Sequence, residues 1–129
     1  MKVVLDTNVI VSAFLSPLGK PSAILKLVLR GDYEMCYSTA ILAEYEQVLY
    51  RSKFTDRIQQ PSIQRFFEII NEIGTNVICS ISKVKLPDET DREFYDVVKT
   101  ADAVLITGNK KHYPDEVFIM NPDEFLSKY

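Results

Sequence analysis

The residues of this chain best placed to do chemistry are acidic, and each stands beside a predicted structural element. Asp6 ends the apolar run Val3-Val4-Leu5, and Glu44 lies within a segment of helical apolar spacing. Asp88 and Asp91 precede another such segment, and Thr107, Gly108 and Asn109 close the run Ala103 to Ile106. An Asp next to a core strand is costly to bury unless it is hydrogen-bonded, paired or bound to a metal. Several carboxylates sharing one crevice repel strongly, and a divalent cation relieves that repulsion. Mg²⁺ or Mn²⁺, which bind hard oxygen ligands and keep several waters, are the natural partners. Such a site activates water and stabilises the charge that develops on a phosphoryl group. Taken singly, each residue has a plainer reading. Asp6 is also an Asx-type cap for the following turn, Glu44 a solvated helix residue, and Asp88 and Asp91 carboxylates favoured by a helix dipole. The constellation, more than any one member, carries the signal.

Alternating elements have to bring these residues together. Residues 3–5 are too short for a helix and rich in β-branched side chains, which suits a strand buried on both faces. Ser16 to Pro21 is a loop of turn residues. A helix is predicted over Ser22 to Arg30, with Gly31 as its C-terminal cap. Tyr33 to Tyr37 reads as a second strand, and Ser38 caps a helix through Ile41, Leu42, Tyr45, Val48 and Leu49. The polar stretch from Lys53 to Gln60 is a short helix or loop ended by Pro61, and a helix over Ser62 to Ile73 is stopped by Gly74. Val77 to Ile81 is a predicted third strand, followed by a loop. Thr90 and Glu93 form a capping box opening a helix through Phe94, Val97 and Val98. Strands are expected over 102–107 and 117–120. Asn121 to Glu124 is a second capping box, with Pro122 at the first helical position. This alternation implies right-handed βαβ crossovers and a three-layer α/β/α arrangement around a parallel sheet of about five strands. Ligands of such sheets bind at the carboxyl ends of the strands.

With 129 residues, 47% of them hydrophobic, the chain is expected to form one domain spanning 1–129. Fifteen basic against 18 acidic residues give a net charge of −3, which argues against affinity for phosphate backbones over the whole surface but leaves room for a local basic patch. Cys36 and Cys79 read as buried free thiols in strands, in a reducing compartment. One His and two Cys do not make a usual zinc site unless carboxylates join them. Met1 leads directly into the first strand, so no signal peptide is expected, and no apolar run approaches the roughly 18 residues of a membrane helix. A cytoplasmic protein is the expectation.

The motifs Leu5-Asp6-Thr7-Asn8-Val9, Ser38 to Glu44, Asp88-Glu-Thr-Asp91-Arg-Glu-Phe94 and Ala101 to Asn109 together resemble a PIN domain. Lys110-Lys-His-Tyr-Pro114 and Asn121 to Leu126 are similar to the prokaryotic branch of toxin components of toxin–antitoxin pairs. The resemblance implies a metal-dependent ribonuclease that leaves 5′-phosphate and 3′-hydroxyl ends. It assigns Asp6, Glu44 and Asp91 as metal ligands, with Asp88 as substitute or helper. Thr7 and Asn8 would orient Asp6 and the attacking water, and Thr107 would line the pocket. It also implies Mg²⁺ or Mn²⁺ as cofactor, RNA as substrate, a cognate antitoxin as partner and a homodimer. Asn109 departs from the pattern, because many PIN domains have Asp there; an amide brings no charge and weakens a second metal site more than the first. The alternative is a degenerate PIN domain acting as a non-catalytic RNA- or protein-binding module. Haloacid-dehalogenase phosphatases also end a first parallel strand in Asp, but they need a second Asp where Asn8 stands. His112 is expected to be a surface residue, and Asp102 a structural cap or pairing partner. Tyr45 and Tyr50 are expected in the core or at a subunit interface, and Lys53, Arg57, Lys110 and Lys111 are candidates to meet RNA phosphates.

Overall fold

The computed structural model describes residues 1–129. Its strands are β1 (Lys2–Leu5), β2 (Glu34–Tyr37), β3 (Thr75–Asn76), β4 (Val104–Ile106) and β5 (Ile119–Met120). They form one sheet in the order β3-β2-β1-β4-β5, with every pairing parallel. Six helices complete the predicted three-layer α/β/α architecture: α1 (Thr7–Leu15), α2 (Lys20–Leu29), α3 (Thr39–Leu49), α4 (Gln60–Ile73), α5 (Arg92–Ala101) and α6 (Pro122–Lys128). The chain starts at the central strand, steps outward through β2 to β3, then returns to the other side of β1. The reversal falls between β1 and β4, whose carboxyl ends therefore flank the crevice where such sheets bind ligands.

Val3, Val4 and Leu5 of β1 are wholly buried, each contributing about 1.5–3 kcal/mol. That burial offsets the cost of ending the strand in a carboxylate. Beneath the site, the fully buried Tyr45 donates its hydroxyl to the carbonyl of Leu5. Tyr45 is thus core, whereas Tyr50 is exposed. No single helix is long and apolar enough to cross a membrane.

Four local expectations are corrected. A helix, α1, occupies residues for which none was predicted, with Asp6 as its N-cap accepting from the Thr7 amide at 2.8 Å. Its β-branched sequence has weak helix propensity, but Val9, Ile10 and Ala13 share a buried face, and packing overrides propensity. The predicted strand over Val77 to Ile81 does not form. β3 lies just before it and pairs with Cys36 and Tyr37, after which β2 ends and no neighbour remains to bond. Ile78 and Ile81 are consequently exposed, and Cys79, expected in that strand, is half-buried in irregular chain. The earlier start depends on Gly74, where a Cβ would stand 2.6 Å from both the Ile70 carbonyl and the Tyr37 ring.

The capping box at Thr90 and Glu93 is also absent. Asp88 instead caps a 3₁₀ turn over Glu89–Asp91, accepting from the Thr90 amide at 3.0 Å and the Thr90 hydroxyl at 2.7 Å. The box at Asn121 and Glu124 does form, with reciprocal bonds of 2.7 and 2.9 Å. The fourth and fifth strands are shorter than predicted. Asp102 adopts the left-handed conformation (φ 55°) as the C-cap of α5, one of the structural roles expected of it, and this delays β4. Val117 is exposed ahead of β5.

Candidate active site

Asp6 lies at the carboxyl end of β1 and is only 5% exposed. Its Oδ2 accepts from the Thr107 hydroxyl at 2.8 Å, the Tyr113 hydroxyl at 3.0 Å and the Asn8 amide at 3.4 Å. Burial pushes its carboxyl up from the ordinary range, the hydrogen bonds from Thr107, Tyr113 and the Thr7 amide oppose the shift, and neighbouring Glu44 adds to it. The turn after β4 is laced to the turn after β1: the Gly108 amide donates to Asn8 Oδ1 at 2.9 Å, and the Asn109 amide donates to Thr107 Oγ at 3.0 Å. Gly108 keeps this approach open, since a Cβ there would sit 3.1 Å from Asn8 Oδ1. Thr7 donates its hydroxyl to Glu44 on α3, joining the second acid to the first.

A cleft of about 520 Å³ gathers Asp6, Thr7, Asn8, Glu44, Asp91 and Asn109. Thr107 is fully buried beneath Asp6, and Asp88 sits half-buried at the rim, 3.8 Å from His112. The structure therefore brings together all eight residues singled out in the sequence. Their mutual influence is electrostatic. Burial, then the charge of Asp6, pushes the Asp91 carboxyl up to about 6.

Several members of this site were not foreseen. His112, expected at the surface, is half-buried in the cleft wall. Its Nδ1 lies 3.0 Å from Asp91 Oδ2 and its Nε2 lies 2.8 Å from the Asn109 amide. The usable signal was its spacing of three from Asn109, which a 3₁₀ turn over Lys110–His112 folds onto one side. Tyr113 is buried and reaches Asp6 across the fold, with nothing local in the sequence to mark it. Glu93, read as half of a capping box, is instead pushed up to about 7, first by burial and then by the adjoining Glu44. Of the four candidate phosphate contacts, Lys53 lines the cleft and is joined there by Arg51. Lys110 pairs with Glu124 instead, at 3.1 Å.

These donors fit a divalent cation. Asp6, Glu44 and Asp91 offer hard oxygen atoms, and none of the three forms an ion pair with a lysine or arginine. Burial raises the carboxyl groups of Asp6 and Asp91, and a cation bound beside them would favour their charged state. Of the acids around the cleft, Asp88 and Asp91 are the ones that, with His112, hold one potential ligand atom each within 4.8 Å of one another.

A family model described as PIN domain matches residues 2–111. The chain belongs to the PIN domain family. PIN domains are generally nucleases that bind RNA and use a divalent metal, and in this PIN domain the acid cluster stands at the switch point of the sheet. The family match stops immediately before His112, which lines the cleft, and Tyr113, which bonds Asp6 from beneath. The chain is also similar to the uncharacterized protein MJ1680 of Methanocaldococcus jannaschii, at 28% identity over 111 residues, covering 85% of this chain and 72% of that protein. No solved structure matches the chain.

Proposed function

We propose that this PIN domain is a divalent-metal-dependent ribonuclease that hydrolyses RNA phosphodiester bonds and serves as the toxin of a toxin–antitoxin pair. The observation that carries this reading is the burial of Asp6 at the switch point, facing Glu44 and Asp91 in one cleft. Mg²⁺ or Mn²⁺, when bound, supplies a lowered pKa for water and stabilisation of charge on the phosphoryl oxygens. Asp6, Glu44 and Asp91 hold the ion. Thr107, Tyr113 and Asn8 fix the Asp6 carboxylate against rotation, and Thr7 does the same for Glu44. Arg51 and Lys53, which line the same cleft, present positive charge to the phosphates flanking the scissile bond. Residues 1–129 act as one catalytic unit in the cytoplasm, as a homodimer restrained by a cognate antitoxin.

The alternative, a non-catalytic binding module, draws on one feature. Asn109 replaces a charge with an amide, and that amide is engaged by His112. Cleavage of a labelled RNA pool separates the two readings. The wild type with Mg²⁺ or Mn²⁺ is expected to cut, and both Asp6→Asn and a chelator are expected to abolish cutting. Stoichiometric RNA binding without turnover, across metals, would establish the binding module instead.

A further inference from the structure

We propose that Asp88, Asp91 and His112 form a second cation site, selective for a divalent transition metal over Mg²⁺ and sharing Asp91 with the all-oxygen site. Two ligand atoms bound to one ion at about 2.1 Å each stand at most about 4.2 Å apart. His112 Nδ1 already lies 3.0 Å from Asp91 Oδ2 and 3.8 Å from Asp88 Oδ2. The three side chains therefore close around an ion with little rearrangement.

Two of the three ligands, His112 and Asp88, also have their other atom anchored by a residue outside the cluster. The Asn109 side-chain amide sits on Nε2 of the ring, 2.8 Å away. In the metal-free arrangement Asn109 Nδ2 donates to Nε2, and the Nδ1 proton faces Asp91 Oδ2. A cation replaces that proton when the amide turns over, so that its oxygen accepts from an Nε2 proton and the Nδ1 lone pair faces the carboxylates. A metal-binding His is typically oriented through its opposite nitrogen in this way. Asp88 is held through Oδ1 by the amide and hydroxyl of Thr90, which leaves Oδ2 turned to His112. No lysine or arginine pairs with Asp88 or Asp91, and the His112 ring stands beside both. Asn109 thus has a positive use here: it gives up a charge and orients an imidazole.

The imidazole decides the metal. Mg²⁺ prefers an octahedron of oxygens, whereas Mn²⁺, Co²⁺ and Zn²⁺ accept imidazole nitrogen together with carboxylates. This site stands whether or not the protein cuts RNA.

The chain has a single histidine, so its imidazole nitrogen resonances report on this site without ambiguity. Zn²⁺ added to the full chain in the presence of excess Mg²⁺ is expected to shift the His112 signals, saturating at one equivalent, with Nε2 carrying the proton. By calorimetry, His112→Gln and Asp88→Asn are each expected to weaken Zn²⁺ binding by about tenfold or more, while Asp6→Asn leaves the His112 shift in place. Unmoved resonances with excess Zn²⁺ would overturn the proposal. So would the same shift from Mg²⁺ at the same concentration, undiminished affinity in His112→Gln, or loss of the shift in Asp6→Asn. An inert protein whose His112 still takes Zn²⁺ would refute the ribonuclease reading alone, and an active one whose His112 ignores Zn²⁺ would refute this site alone.

Discussion

The two walls of the cleft hold their acids in different ways. On the sheet wall, Asp6 extends from a strand whose last three residues are wholly buried, and donors from Thr7, Thr107, Tyr113 and Asn8 surround it. On the helix wall, Asp88, Asp91 and Glu93 stand at the start of α5, half-exposed, with His112 as partner to the first two. Asp91 and Glu93 are pushed up to about 6 and about 7, so protons and cations compete there near neutrality. One wall is fixed by hydrogen bonds within the protein. The other is set by whatever charge the solution supplies.

The largest expected effect breaks the sheet wall. Asp6→Asn should lower RNA cleavage by at least about 100-fold, more than the usual loss of a residue that only supports a metal ligand. Its metal-free melting temperature should be no lower than that of the wild type, because burial disfavours the Asp6 charge. Thr107→Val comes next. It removes the hydroxyl that donates to Asp6 and accepts from the Asn109 amide, so cleavage should fall about 10-fold to 100-fold and stability by about 1–3 kcal/mol in denaturant melts.

The helix wall should reveal itself through pH. The folded-state values of Asp91 and Glu93 lie above their unfolded ones, so the folded state binds more protons between the two. Stability is then full at low pH and is lost as pH rises from about 4 to about 7, reaching its floor above the folded values. Melting of the metal-free protein across that range should show the decline. Glu93→Gln should flatten it, and Mn²⁺ should counteract it by binding the ionised carboxylates. A decline unaffected by either change would mean that the helix wall is not the titrating element. The smallest effect belongs to Thr90→Val, which frees Asp88 Oδ1 from the hydroxyl but keeps the amide bond. A change of a few-fold in Zn²⁺ affinity, by calorimetry, is expected, with RNA cleavage in Mg²⁺ unchanged.

The starts of α5 and α6 explain why some features were readable from sequence and others were not. Both carry a capping-box pattern, and only Asn121 with Glu124 forms one. At α5 the residues of the pattern turn elsewhere, Thr90 to Asp88 and Glu93 toward Glu44. Local rules hold at the structural helix and give way at the one that serves the cleft. Val77 to Ile81 failed for a different reason, since its pattern suits a strand but β2 ends before it can offer a partner.

By itself the sequence determined the alternation of elements, the parallel sheet and the acids at Asp6, Glu44, Asp88 and Asp91. Apolar runs, turn residues and caps are local, and a carboxylate at the end of a buried strand is conspicuous wherever the strand lies. Only the tertiary structure decided which polar groups surround those acids. Tyr113 meets Asp6 across 107 positions, Thr107 meets it across 101, and His112 reaches Asp91 across 21. Contacts of that span depend on β4 lying beside β1 and on the turn that follows β4, and no periodicity along the chain encodes them.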